Sequence, residues 1–268
     1  MTAQDPQTIA QHRFVRADAC LTAAGIIEQY ATDVDAITET LVEAIRPARA
    51  NARICELGFG LGWLLESLAE EFPEASLVGL DQSPGMAAHV RELAGTQAAI
   101  VQGDMERLPF ANRVFDSVAT CWTLYFMRDI DATLEEIKRT LQPGGTFVAA
   151  TVAPDNEIEL DELYHSAVES ALGPRERVDV TERFNLETGR RYVGRHFGEV
   201  GLREWHGELK LPDVATLVAF WEQGGARTLL GDDTERVQHE VVRLAEEWLA
   251  RDGALNVTRH GGLFIGRV

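Results

Sequence analysis

The chain has 268 residues, 45% of them apolar, and carries 43 acidic against 25 basic side chains for a formal net charge of −18. This is an ordinary globular composition, long enough for one large α/β domain with a sizeable core. So acidic a surface repels phosphate backbones and anionic membranes, which disfavours nucleic-acid and membrane partners, although acidity equally serves solubility.

The N-terminal "MTAQDPQTIAQHRF" lacks the basic and apolar regions of a signal peptide. No run approaches the ~18 apolar residues of a membrane span. Cys20, Cys55 and Cys121 show no metal-knuckle spacing, and Cys55 and Cys121 sit inside predicted strands, where they read as small buried hydrophobes. We therefore expect a cytoplasmic protein without a metal.

Residues 1–32 read as a weakly patterned helical cap. Thr32 and Asp35 have capping-box-like spacing before a helix whose inner face is Val34, Ile37, Leu41 and Ile45. Strands and helices then alternate. "ARICEL" is a strand, residues 61–71 a helix, "SLVGL" a strand ending at Asp81. Ser83 followed by Pro84 starts the next helix, with a hydroxyl cap and proline at the first helical position. "AAIVQGD" and the near-continuous apolar run "VFDSVATCW" are strands three and four. Residues 131–141 are a helix stopped by "QPGG", and "TFVAATV" is strand five. This rhythm predicts a doubly wound parallel sheet with ligands at the carboxyl ends of its strands.

After residue 153 the rhythm changes. "EIELDELYHSAVESAL" is an acidic amphipathic helix, Arg175 to Glu187 a charged loop or short helix, and "TGRRYVGRHFGEV" a helix. "LREWHGELKL" alternates like a strand. Residues 213–224 and 234–251 are helices. "ALNVTRHGGLFIGRV" reads as two short strands around Gly261-Gly262, or as one strand after a turn. We expect one domain over 1–268: a cap (1–32), a cofactor-binding core (33–152) and a substrate-lid insertion with closing helices and strands (153–268).

Strand one ends in "ELGFGLG", with Gly58, Gly60 and Gly62 at alternate positions. Glycine there lets a ligand approach the backbone, and the following helix points free N–H groups at it. A dinucleotide loop needs glycine or alanine where this chain has Trp63. The phosphate loop with its Gly-Lys-Ser/Thr ending is also absent. A cofactor without phosphates needs no basic residue in the loop, and none is present. Asp81, about twenty residues on, is placed to accept from ribose hydroxyls. Asp104 in "QGDM" can accept from an adenine amino group, with the Met105 thioether beside the base. Each aspartate alone also reads as a solvated strand end.

"ELGFGLG" resembles the E-x-G-x-G-x-G first motif of class I S-adenosylmethionine-dependent methyltransferases. "GDMERLPF", "VFDSVATCWTLYFMRD" and "EIKRTLQPGG" are similar to later motifs of their small-molecule branch, in the same order. The resemblance covers about residues 30–152. It implies a Rossmann-like, mostly parallel seven-stranded sheet with an insertion after strand five. It implies S-adenosylmethionine as cofactor, with Glu56, Gly58, Gly60 and Gly62 around the methionine moiety, Asp81 at the ribose, and Gln82, Asp104 and Met105 at the adenine. The backbone of Cys121 to Thr123, with Trp122, would face the methionine amino group, and Tyr30 its carboxylate; Tyr30 reads equally as packing. One departure matters: relatives often read "LYHVPD" where this chain has "LYFMRD", so Phe126 stands at the histidine place and Arg128 at the proline place.

The implied reaction is methyl transfer to a small hydrophobic or aromatic metabolite, first of all at oxygen, in secondary metabolism. The alternative is a cyclisation or rearrangement with the cofactor held as a charged prosthetic group. An alcohol or carbon acid needs a general base. The candidates are His165 in the insertion, His12 in the cap and Tyr125 near the expected pocket, each of which also reads as a lid or packing residue. His196 and His206 read as structural, and His89, His239 and His260 as surface positions. Phe220 and Trp221 are candidates to stack on the substrate or to fill the core. A small molecule is the expected partner, and a homodimer is compatible with the sequence.

Overall fold

The computed structural model describes residues 6, 10, 14, 17–93, 97–177, 179–223 and 230–268, with side chains 18 and 19 left out. Its centre is a seven-stranded sheet in the order β3-β2-β1-β4-β5-β7-β6. The strands are β1 (Arg53–Leu57), β2 (Ser76–Asp81), β3 (Ala99–Gln102), β4 (Phe115–Cys121), β5 (Leu141–Val152), β6 (Val200–Leu211) and β7 (Leu255–Arg267). The first five pair in parallel, and β7 lies antiparallel between β5 and β6. The expectation of a doubly wound, mostly parallel sheet holds.

The helices are α1 (Ala17–Tyr30), α2 (Val34–Ile45), α3 (Trp63–Glu71), α4 (Pro84–Glu92), α5 (Ile130–Thr140), α6 (Ile158–Leu172), α7 (Leu186–Phe197), α8 (Val214–Glu222) and α9 (Thr234–Asp252). Alternate residues of each central strand serve opposite faces. Ile54 and Ala119 join Leu41, Ile45, Leu64 and Leu68 of α2 and α3 on one side. Cys55, Leu57 and Val118 join Leu134 and Ile137 of α5 and Val193 and Phe197 of α7 on the other. Burial on both faces is why these strands are continuous apolar runs.

Ser83 caps α4 as expected, accepting from the Met86 N–H, with Pro84 in the first turn. The capping box expected at α2 does not form. Asp33 is the cap residue but makes no side-chain cap bond. Its carboxylate instead pairs with Arg259 of β7 at 2.7 Å, and the Thr32 hydroxyl accepts from the Glu208 N–H. A tertiary ion pair has displaced the local cap.

Gly261-Gly262 does not break β7 into two strands. A Cβ on Gly261 would lie 2.9 Å from the Trp205 indole nitrogen, and one on Gly262 2.5 Å from the Arg203 carbonyl. These glycines admit close packing rather than a turn. The result is a long pair: β6 and β7 stay in register from Val200↔Gly266 to Leu211↔Leu255, whereas β5 pairs with β7 only as far as Val152↔Gly261. Beyond that rung the β6–β7 ribbon projects past the carboxyl end of the sheet. Its tip carries a separate apolar cluster, with Leu163 and Val168 of α6, Leu217 and Trp221 of α8, Val237, Val241 and Trp248 of α9, and Ile26 and Tyr30 of α1 against it. The cap is thus assembled from four helices dispersed along the chain, α1, α6, α8 and α9.

Candidate active site

The strand order reverses between β1 and β4, whose ends pair at Leu57↔Thr120. At this switch point a cavity of about 640 Å³ opens. Its floor is the glycine loop, the ends of β2 and β4, and the Gly103–Met105 turn; Cys20, Ala23, Ala24 and Ile27 of α1 form its roof.

The three loop glycines all have positive φ, yet each serves a different purpose. A Cβ on Gly58 would stand 2.6 Å from the Thr123 hydroxyl, so this residue lets the loop close on the end of β4. A Cβ on Gly62 would stand 2.8 Å from Val90 of α4. Gly62 lies outside the cavity lining, which corrects the expectation that it surrounds a ligand. Gly60 lines the cavity, and a Cβ there would meet nothing within 4 Å. Gly60 is the cradle, open toward a ligand.

Asp81 ends β2 with both carboxylate oxygens engaged. Gly60 N–H donates to Oδ2 at 3.0 Å and Ser83 N–H to Oδ1 at 2.8 Å. The side chain thereby fixes both the loop and the start of α4. An ionised carboxylate has about four lone-pair sites, so acceptor capacity remains for a ligand beyond these backbone donors and that of Gln82. Burial raises the Asp81 pKa, against the opposing pull of the backbone donors. Glu56 is more extreme: it is 2% exposed and its Oε2 has no hydrogen-bond partner. Burial, and next the charge of Asp81, push its pKa well above the ordinary value. A buried carboxylate left in this state is suited to a cationic ligand group. Asp104 accepts from the Glu106 N–H with one oxygen and lines the cavity beside buried Met105.

At the end of β4, Trp122 holds φ at 52°, a left-handed conformation rare for a bulky side chain. Its N–H donates to the Ala150 carbonyl, and its ring lies 6.1 Å from Trp63 and 6.4 Å from Trp205, centroid to centroid. Trp63 and Trp122 both line the cavity. Burial, and then the charge of Glu56, raise the Cys121 pKa, and burial raises that of Cys55. Both thiols stay protonated, as small buried hydrophobes do.

Ten of the twelve expected cofactor residues therefore converge: Glu56, Gly58, Gly60, Asp81, Gln82, Asp104, Met105, Cys121, Trp122 and Thr123 line one cavity. Tyr30 and Gly62 do not; Tyr30 packs into the cap cluster. The three candidate bases are not brought together. Tyr125 is buried beneath the cavity wall with its ring edge-on to Phe126. His165 sits on α6, 3.2 Å from Asp161, outside the lining. His12 lies outside the described residues. Phe220 and Trp221 face the cap cluster rather than the cavity, because α8 uses its apolar side to hold the cap together; among the described residues, Gln223 at its end reaches the site. His260 is not a surface position: its side chain is 16% exposed and hydrogen-bonded to Asp155. Conversely, His206 is exposed rather than an enclosed structural residue.

Sequence reasoning missed the α1 roof and the apolar wall of Phe14, Phe126 and Met127. Phe126, at the histidine place of relatives, packs edge-on against Phe14 at 5.7 Å. The turn that carries it is held by Arg183, which donates to the carbonyls of Tyr125, Met127 and Arg128. The small pair Ala23-Ala24 beside Gly25 was the available signal that one side of α1 faces a ligand space.

Residues 55–149 match a methyltransferase-domain family model. Within that stretch lie the glycine loop and the carboxylates of the cavity. Residues 55–149 are a class I, S-adenosylmethionine-dependent methyltransferase domain. The chain is 35% identical over 113 residues to a malonyl-[acyl-carrier protein] O-methyltransferase of Hahella chejuensis, covering 42% of this chain and 40% of that protein. It is 35% identical over 115 residues to a demethylmenaquinone methyltransferase of Roseiflexus castenholzii, covering 42% and 48%. The matched stretch spans about half the length of these curated relatives or less. Among solved structures, the YcgJ protein of Bacillus subtilis shares the fold with a TM-score of 0.58 and 16% identity, covering 86% of this chain and 97% of that one. The matched residues thus account for the parallel strands β1–β5 and the cavity floor, while β6, β7 and the cap lie outside them.

Proposed function

We propose that this protein transfers the methyl group of S-adenosylmethionine to a small apolar or aromatic metabolite at oxygen. The observation that carries the cofactor reading is the partnerless, buried Oε2 of Glu56 beside an open Gly60. When bound, S-adenosylmethionine supplies a methyl group already activated on a sulfonium. Glu56 faces the methionine ammonium, Asp81 uses its remaining acceptor capacity on the ribose hydroxyls, and Asp104 and Met105 hold the adenine. With an activated methyl donor, the protein's task is alignment and exclusion of water. Phe14, Ile27, Trp63, Phe126 and Met127 form the dry wall for that purpose.

Oxygen as acceptor is supported in two ways. Several of the relatives are named O-methyltransferases. Among the described residues lining the cavity there is no histidine, lysine or arginine. An acceptor that ionises unaided, such as a carboxylic acid or an acidic phenol, needs no side-chain base.

Incubation of the protein with S-adenosylmethionine and a panel of carboxylic acids, phenols, amines and carbon acids tests the reading. S-Adenosylhomocysteine forming only with the first two classes is the expected result. Product from a panel member without S-adenosylhomocysteine would establish the non-methylating alternative. No binding of either adenosyl ligand would refute the cofactor assignment.

A further inference from the structure

A second cluster lies on the β6–β7 ribbon, away from the cavity. His206 stands directly across from His260, on the first rung beyond the last β5 pairing at Val152↔Gly261. The two imidazoles stack with centroids 4.0 Å apart. Glu204 is two residues before His206 and so shares its face of the strand, while Trp205 between them turns to the opposite face and meets Trp122. One ligand atom from each of Glu204, His206 and His260 lies within 4.8 Å of the others.

His260 is oriented by its surroundings. Its Nδ1 lies 2.6 Å from Asp155 Oδ1, and its backbone N–H donates to Asn156 Oδ1. With Nδ1–H donating to Asp155, the neutral ring presents the lone pair of Nε2 toward Glu204 Oε2, 3.4 Å away. Two acceptors then face each other, and a cation between them resolves the conflict. At the zinc–ligand distance of about 2.0 Å, tetrahedral ligand atoms are roughly 3.3 Å apart, close to that separation. A carboxylate on the distal nitrogen of a metal-binding histidine is the usual arrangement behind a zinc ligand.

We propose that Glu204, His206 and His260 bind a zinc-class divalent ion, with Asp155 as the positioning residue behind His260. Two imidazoles and one carboxylate favour a borderline ion over calcium or magnesium. The ion would clasp β6 to β7 where the ribbon leaves the sheet to carry the cap. Read alone, the sequence hides this triad, because 56 residues separate Glu204 from His260.

The test is calorimetric titration of the chelator-treated full chain with Zn2+, alongside Co2+ absorption spectra. The expected result is stoichiometric micromolar binding, cobalt bands without thiolate charge transfer, and a rise in Tm with zinc. His206→Ala, at an exposed position, should remove this binding while leaving the fold intact. Asp155→Asn should weaken it about 10–100-fold. Absence of stoichiometric zinc binding, equal affinity in His206→Ala, or calcium binding as tight as zinc would overturn the proposal and leave a carboxylate–imidazolium cluster.

Discussion

Replacement of Glu56 by glutamine should make the protein more stable and a poorer binder at once. The carboxylate is 2% exposed, with Oε2 unpartnered and Asp81 repelling it. An unsatisfied buried polar group costs about 1–3 kcal/mol, and more when charged. The amide keeps the shape and an acceptor for the Leu65 N–H but carries no charge; its NH2 is left as unpartnered as Oε2 was, so what is relieved is the burial of a charge beside Asp81 and not the missing hydrogen bond. Relief of about 1–3 kcal/mol corresponds to roughly 2–12 °C in Tm for a chain of this size. The same carboxylate is the proposed partner of the methionine ammonium. A hydrogen bond to a charged group contributes about 1.5–3 kcal/mol, so binding of S-adenosylmethionine should weaken roughly 10–150-fold. Thermal unfolding and calorimetric titration of wild type and variant measure both arms. Lower stability with unchanged binding would refute the reasoning, because Glu56 would then be a satisfied structural group rather than one held ready for a cation.

The remaining predictions use the same site. The folded-state pKa values of Glu56 and Asp81 are both raised, so the native state holds protons that the unfolded chain releases. Their contribution to apo stability is full below the ordinary values of 4.5 and 3.8 and is lost as pH rises through the raised ones. Cofactor binding should release protons and tighten over the same window, and Glu56→Gln should flatten both profiles in pH-dependent unfolding and titration. Gly60→Ala should weaken binding by about 1–3 kcal/mol by intruding on the ligand. Gly62→Ala should instead cost the fold about 2–5 kcal/mol, since Val90 is stiff and the backbone is left-handed, while the Kd of the folded protein stays unchanged. Asp81→Ala should weaken S-adenosylmethionine and S-adenosylhomocysteine alike, by about 1–3 kcal/mol in parallel titrations. Asp33→Ala, which leaves Arg259 with Glu157 at 3.8 Å as its ion-pair partner among the described residues, should destabilise by about 3–5 kcal/mol in denaturant unfolding.

The two halves of the site differ in how far they can be read from sequence, and the reason is topological. In a doubly wound sheet each of the proposed cofactor contacts sits at the end of its own strand. Glu56, Asp81, Asp104 and Trp122 therefore appear at intervals set by the β-α rhythm, each flanked by its own apolar run. Local pattern and site position are the same information there. The acceptor side follows no such rule. Its roof comes from α1, its wall from the Leu124–Phe126 turn, and its far corner from Gln223 beyond α8. The β6–β7 ribbon overshoots the sheet and gathers α1, α6, α8 and α9 around one apolar cluster, while Arg183 and the main core hold the Leu124–Phe126 turn beneath them. The cues that misled are of one kind. Gly261-Gly262 looked like a break, but the space was needed for Trp205 and the Arg203 carbonyl. Thr32 and Asp35 looked like a local capping box, but the Thr32 hydroxyl is taken by the Glu208 N–H and the actual cap residue, Asp33, is bound to Arg259, 226 residues away. Phe220 and Trp221 read either as substrate-stacking or as core residues, and the cap takes them as core. In each case a long-range contact outweighed a local preference of about 1 kcal/mol. The residues proposed here to face the methyl acceptor are positioned by such contacts, and local sequence carries the least signal for them. Substitutions in α1, above all at Ala23 and Ala24, are where acceptor preference should change while cofactor affinity holds.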